Sequence, residues 1–486
     1  MHSNSAGRIP WTCAIGAVLF YLPFAARGFL GDDWLWLAWG MRAWADPTLL
    51  MERPIYGYFR PLALALVSGY IALAGAKPLL FSAVSLILHA CNVMLLYRVL
   101  VAYGASRDMT LIGTFLFAFY YLNAPVVAWI ATTPDLMVTA LSLLLLLATE
   151  RYVDLPRRSS ILLVTLIGMA AVLTKETGFV TVALFFAAVL LRGKGLLRPP
   201  VIWHSLALVV LYGTYLAVYF SGRTMTDKEL VFGPSVLFNL WYFLAYTLFP
   251  LSERVVAVIP TGLHSLLVAG KVVALATVPV LFWAIFRRGP AGVRLFFLWS
   301  IVFIATVSLF KWDVSLLSLY PERTASRYMY TANAGMAVVI AWLAVSAWRR
   351  WLGSRRLTKP IPVLFALLYL AGNFVIVYQV TQKYRLGRAQ EHDMYSAVVG
   401  LAEKTKSDRI SVLVPNRESA PQIVATGVFL ESMLLVGTGR EIEVSVQDKY
   451  QPGSGSGVES RAPQLLWDST SNRLLPIEQP EPIGLR

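Results

Sequence analysis

The sequence predicts an all-α polytopic membrane protein that carries a small α/β domain after residue 381. Three observations predict it. Of the 486 residues, 57% are hydrophobic and only 14% charged, whereas a soluble globular chain is about a quarter charged. Apolar runs long enough to cross a bilayer recur from residue 11 to residue 381. Beyond Gln382 charged residues return and short alternating segments replace the runs. The net charge of +15 does not mark a nucleic-acid binder. Its Lys and Arg residues sit in short segments between apolar runs, which is how cytoplasmic loops are written.

A spanning helix needs about 20 largely apolar residues, and runs of that kind lie near 11–29, 78–102, 109–130, 133–152, 160–174, 178–192, 200–220, 264–286, 291–311, 327–350 and 360–381, about eleven spans in all. The first run lacks a small-residue cleavage site, so it reads as a retained helix rather than a signal peptide. With the N-terminus cytoplasmic, the inner loops receive Arg107, Arg157-Arg158, Arg192/Lys194/Arg198, Arg287-Arg288 and Arg349-Arg350. The opposite side receives Asp32, Asp33, Asp135, Glu176, Asp313 and Glu322. This separation puts the C-terminus outside. It requires two further apolar pieces not to cross: 61–75 as an interfacial helix, and 235–260 as a re-entrant or interfacial pair. The domain reading is therefore a transmembrane domain over 1–381, with 28–75 as its first outer loop, and an extracytoplasmic domain over 382–486.

In that outer domain RISVLVP at 409–415 and EIEVSV at 441–446 read as strands. Helical spacing lies between them over 421–435. Residues 465–477 read as a hairpin around Ser-Thr-Ser-Asn, after a Gly/Ser loop at 450–463. Cys13 and Cys91 fall in apolar runs and make neither a disulfide framework nor a metal-ligand spacing. No internal repeat and no Gly-rich phosphate loop is present.

The polar residues that invite a functional reading gather on the outer side. The first outer loop holds the adjacent acids Asp32-Asp33, four tryptophans (Trp34, Trp36, Trp39, Trp44) and Tyr58-Phe59-Arg60-Pro61. Asp135 comes directly after Thr-Thr-Pro. Lys175-Glu176 sit at a reversal between two short spans. Glu322, Arg323, Arg327, Tyr328 and Tyr330 lie where the tenth span starts. Ionisable groups at membrane depth are costly, and several on one face point to a polar cavity lined by both signs of charge. Each has a plainer explanation. Lys175 and Arg327 can snorkel to the interface, Asp135 can simply start a helix, the tryptophans suit the headgroup layer, and the acid pair can be solvated. His89 in its apolar span reads as a hydrogen-bonded packing residue, with no partner at metal spacing. One adjacent carboxylate pair supplies too few ligands for a protein-held cation, so no metal or other cofactor is expected to be required.

Taken in order, several motifs resemble the membrane module of GT-C glycosyltransferases. They are Gly31-Asp32-Asp33, Tyr58-Phe59-Arg60-Pro61-Leu62, Leu88-His89-Ala90-Cys91-Asn92, Val127-Ala128-Trp129-Ile130 with Pro134-Asp135-Leu136, Thr174-Lys175-Glu176-Thr177-Gly178, and Ser326-Arg327-Tyr328-Met329-Tyr330. The set is similar to the transmembrane O-mannosyltransferases that carry tetratricopeptide repeats, and to bacterial protein-mannosyltransferase (family 39) enzymes. It covers most of 10–350.

The resemblance implies a membrane enzyme that moves a sugar from a polyprenyl-phosphate carrier to an acceptor on the outer face. On this chain it implies that Asp32 or Asp33, with Asp32 favoured, is the general base. Arg60, Lys175 and Arg327 would hold the departing phosphate, with Tyr58 and Tyr328 beside them. Glu176, Asp135 and Glu322 would orient those cations or the acceptor. The chemistry is coherent, because a phosphate leaving group lets cations replace a general acid. The chain departs from that family in lacking tetratricopeptide repeats and in carrying a different domain after Gln382, so the resemblance names neither acceptor nor sugar. The implied partners are the lipid-linked sugar donor, an acceptor of unassigned class and the bilayer. The compact loops point to a bacterial inner membrane as the setting. The competing readings are a transporter or flippase for a lipid-linked or anionic substrate, which commonly shows repeated halves with broken helices at the midplane, and an inactive scaffold.

Overall fold

A computed structural model describes residues 9–53, 57–154, 158–191, 199–221, 233–248, 262, 264–310, 325–351, 360–414, 427–448, 463–468 and 473–477. The chain is helical through its apolar part and ends in a four-stranded sheet. Six described helices are long and apolar enough to cross a membrane, or seven if the bent pair Arg107–Phe119 and Tyr121–Ala128 counts as one span. Of the other four expected spans, three form shorter helices, Pro10–Phe24, Arg158–Thr174 and Glu176–Leu191, and the fourth lies in the 23-residue helix Pro199–Ser221. Pro61–Ala74 is a short apolar helix. Over 235–260 the described part is a helix, Pro234–Leu248, and the rest lies outside the described residues.

The chain divides into two compact units: Met1–Ala25, Tyr56–Ala63 and Ser82–Thr381 form the first, and Ala26–Ile55, Leu64–Phe81 and Gln382–Arg486 the second. Most of the first outer loop, read from the sequence with the spanning helices, thus groups with the C-terminal residues.

In the first unit the bend after Phe119 has a local cause. Ser106 starts the helix, its hydroxyl accepting from the Met109 amide at 3.4 Å. The helix ends at Tyr120, in extended geometry. The carbonyls freed there are taken up by side chains: Asn123 Nδ2 donates to Phe117 O at 2.7 Å and the Tyr21 hydroxyl donates to Tyr120 O at 2.7 Å. The two pieces meet at 48°. Buried tryptophan serves the same end elsewhere: Trp299 on helix Ala291–Ser308 donates its indole N–H to Thr331 O at 2.6 Å, fastening that helix to the start of Tyr330–Trp351.

The second unit joins helix Asp32–Ala45, much of Pro61–Ala74, the end of the long helix Pro360–Thr405 and the sheet. The strands are β1 (Arg409–Val414), β2 (Glu443–Asp448), β3 (Gln464–Asp468) and β4 (Arg473–Ile477), in the order β2-β1-β3-β4. β1 runs parallel to β2 and β3, while β3 and β4 pair antiparallel, as the hairpin reading of 465–477 expects. Val412 sits between Val446 and Leu465 in register. Helix Val428–Thr438 bridges β1 and β2 and packs on Asp32–Ala45. No break separates the long helix from the residues after 382. Its 46 residues measure ~70 Å at about 1.5 Å per residue, twice the ~30 Å hydrocarbon core, so only its apolar first half is membrane-spanning.

Candidate functional site

In the first unit the turn between Arg158–Thr174 and Val180–Leu191 gathers charge. Lys175 is fully extended, φ −162° and ψ 151°, before the 3-10 turn Glu176–Phe179. Side chains of successive residues diverge in extended backbone, so Lys175 and Glu176 find different partners. Lys175 Nζ donates to both Asp135 carboxylate oxygens at 2.7 Å. Those two side chains are 6% and 10% exposed, so neither charge is left to water. Glu176 takes the Arg60 guanidinium in a fork, Nη2 to Oε1 at 2.7 Å and Nε to Oε2 at 2.9 Å. Burial raises the proton affinity of Glu176, but Arg60 and Lys175 together outweigh it and hold the carboxyl below its usual range. Gly178 makes the turn possible, since a Cβ there would run into the Ala171 carbonyl of the preceding helix.

Aromatic rings back the cations. Arg60 lies over the Tyr58 ring at 4.4 Å, and Lys175 has its ammonium 5.5 Å from the Tyr328 ring. Arg327 lies 4.9 Å from both the Trp129 and the Tyr328 rings, and its Nη2 donates to the Tyr328 hydroxyl at 2.9 Å. The turn that carries Arg327 and Tyr328 is anchored close by. Tyr330 is wholly buried among His89, Asn92 and Phe117. A carbonyl can only accept, so His89 Nε2 carries the proton given to Ala118 O at 3.1 Å. Nδ1 then accepts from the Tyr330 hydroxyl at 2.7 Å, and that hydroxyl accepts from Asn92 Nδ2 at 3.1 Å. The sequence reading of His89 as a hydrogen-bonded packing residue agrees with this knot. Glu322 lies outside the described residues.

In the second unit the acid pair divides. Asp33 is fully buried and its Oδ2 accepts from the Leu30 amide at 3.0 Å, while Asp32 is half-buried. Both belong to the first turn of Asp32–Ala45, where backbone amides favour negative charge. Gly31, in front of them, adopts φ 54° and ψ −119°, a conformation open to glycine. Trp34 and Trp36 are packed inside at 3% and 5% exposure, not spread on a surface as expected of headgroup anchors. Trp34 stacks on Tyr395 with ring centroids 5.1 Å apart.

Sequence reasoning missed Arg388 and Glu391, which are nine-tenths buried in the second half of Pro360–Thr405. Glu391 Oε2 accepts from the Gly31 amide at 2.7 Å and from Trp34 Nε1 at 2.9 Å. Arg388 feels the charge of Asp33 and of Glu391. Nothing in the sequence marks them, because the Gly31, Asp33 and Trp34 groups they meet lie more than 350 positions away.

Among the described residues no three His, Cys, Asp or Glu side chains gather in a way that could hold a metal ion. A cavity of about 200 Å³ lies among Leu100, Ser106, Pro290, Phe296, Trp342 and Arg349, with none of the candidate residues in its wall.

No protein-family model matches the chain, and no curated protein does. Solved structures similar to it include ArnT from Cupriavidus metallidurans bound to undecaprenyl phosphate and in the apo state. Both share 14% identity over 96% of this chain and 94% of theirs, with TM-scores of 0.46 and 0.48. The Archaeoglobus fulgidus oligosaccharyltransferase tethered with an acceptor peptide is similar at 12% identity, over 90% of this chain and 64% of its own, with a TM-score of 0.49.

Proposed function

We propose that this chain is an integral membrane glycosyltransferase of the GT-C type, which transfers a sugar with inversion from a polyprenyl-phosphate-linked donor to an acceptor on the outer face of a bacterial inner membrane. In this reading the N-terminus is cytoplasmic and the residues after 382 are extracytoplasmic. The observation that carries the reading is the turn at Lys175-Glu176. Two ion pairs there, one buried and one partly buried, fix two cations, Lys175 and Arg60, by acids from distant segments, and the ring of Tyr328 faces both Lys175 and Arg327. Cations fixed in advance are what a departing phosphate needs, because its charge grows as the glycosidic bond breaks. They also remove the need for a general acid.

The roles rest on charge and burial. Asp32, the half-exposed member of its pair, takes the proton from the acceptor as it attacks the anomeric carbon. Asp33, buried, holds the turn. Arg60, Lys175 and Arg327 receive the phosphate, with Tyr58 and Tyr328 supporting them. Asp135 and Glu176 orient those cations, and Glu322 is assigned the same task on the resemblance alone.

The test uses purified protein in liposomes with labelled polyprenyl-phosphate sugars. Release of sugar from the carrier is the expected result. Movement of intact lipid-linked sugar between leaflets, with none released, would overturn the enzyme in favour of a flippase.

A further inference from the structure

The second unit holds a carboxylate for which the proposed reaction has no use. Glu391 is 9% exposed, and a single oxygen of it receives two donors: the Gly31 amide at 2.7 Å and the Trp34 indole at 2.9 Å. Those residues lie immediately before and just after the acid pair, so one distant side chain grips the backbone and a side chain on either side of Asp32-Asp33. Gly31 precedes the helix that begins at Asp32 and has no side chain to cap it; its own amide is taken up by Glu391. The grip is reinforced where Tyr395, one helical turn further along, stacks on Trp34 at an interplanar angle of 17°, and His392 stacks on Tyr395 in turn. Arg388, one turn back, sets a positive charge against Asp33. A carboxylate costs more to bury than an amide that could accept the same bonds, and burial with the nearby Asp32 charge pushes Glu391 up to about 7.

We propose that Glu391 is a positioning residue for the reaction: it fixes the direction of Asp32 by clamping Gly31 and Trp34, and so makes the helix after Gln382 part of the catalytic apparatus. This inference rests on the reading of Asp32 as the base. It assigns the C-terminal residues a task in turnover that does not require them to touch donor or acceptor.

The experiment compares wild type, Glu391→Ala, Glu391→Gln and Trp34→Phe in liposomes, with a labelled polyprenyl-phosphate sugar as donor. Turnover is counted per folded molecule, and hydrogen exchange is measured in the peptide covering 28–36. A base displaced by about 1 Å loses up to about a hundredfold in rate, so Glu391→Ala is expected to lower kcat at least about tenfold while KM for the donor stays within about twofold. Exchange over 28–36 should rise, with the peptides of 82–119 unchanged. Glu391→Gln keeps an oxygen acceptor and should restore both kcat and protection, and Trp34→Phe, which removes one donor, should fall between. Faster exchange in Glu391→Ala with undiminished kcat, or a loss confined to KM, overturns the inference and leaves the enzyme reading intact. Wild-type protein that releases no sugar from any polyprenyl-phosphate donor overturns the reading, and the inference with it.

Discussion

The Lys175 turn and the Asp32 turn solve opposite electrostatic problems. Around Lys175 opposite charges meet in two ion pairs, Lys175 with Asp135 and Arg60 with Glu176. Around Asp32 carboxylates gather: Asp33 and Glu391 both act on Arg388, while Asp32 acts on Glu391. In the proposed reaction the first arrangement holds cations in place for a departing phosphate, and the second sets the half-buried carboxylate of Asp32 where it takes a proton.

The largest stability effect should come from breaking the balanced side. Lys175→Met strands Asp135 and is expected to cost about 3–5 kcal/mol in unfolding free energy, because a lone buried charge is far worse than none. Lys175→Met combined with Asp135→Leu should recover most of that. A double variant as unstable as the single one, in thermal unfolding in detergent, would mean the pair is not the unit it looks to be. Next come the cations themselves. Arg327→Ala removes a cation that lies against the Trp129 and Tyr328 rings. It should raise KM for the lipid-linked donor about ten- to a hundredfold, the worth of a charge-assisted contact of about 1.5–3 kcal/mol. Arg60→Ala should raise KM and also lower stability, since it strands the carboxylate of Glu176. An unchanged KM in both variants would remove the two cations from the phosphate site.

The smallest effect sharpens the crowded side. Burial pushes Glu391 up to about 7 in the folded chain from an ordinary 4.5; Asp32 adds to the rise, and the Gly31 amide, the Trp34 indole and Arg388 oppose it. The folded state therefore binds the proton more tightly than the unfolded one, so its stabilisation is complete below about 4.5 and is lost as pH rises through about 7. Protection of 28–36 against hydrogen exchange, corrected for intrinsic rates, should be lower at pH 8 than at pH 5.5. Glu391→Gln should flatten that difference.

Much of this was legible in the sequence, but not all for the same reason. Apolar runs reveal helices because burial in lipid is a property of composition, and the strands of the sheet show in alternation. Among the described residues six or seven helices pass as spans by length and composition; hydropathy finds the apolar runs but carries no record of where a helix bends, as after Phe119. The charged turns were visible as misplaced charge, yet nothing in the order of residues pairs Lys175 with Asp135 rather than with Glu322. Trp34 read as an interfacial anchor, since an indole facing lipid headgroups and one stacked on Tyr395 look alike on paper. Glu391 was invisible, being one acid among several in a polar stretch.

The most direct measurement is turnover per folded molecule for Asp32→Asn beside Asp33→Asn, each in liposomes with labelled polyprenyl-phosphate sugar. Loss of a positioned base costs about 10²–10⁴ in rate. The account expects that loss in Asp32→Asn with unfolding unchanged, and in Asp33→Asn mainly lower stability. Full activity in Asp32→Asn would contradict it.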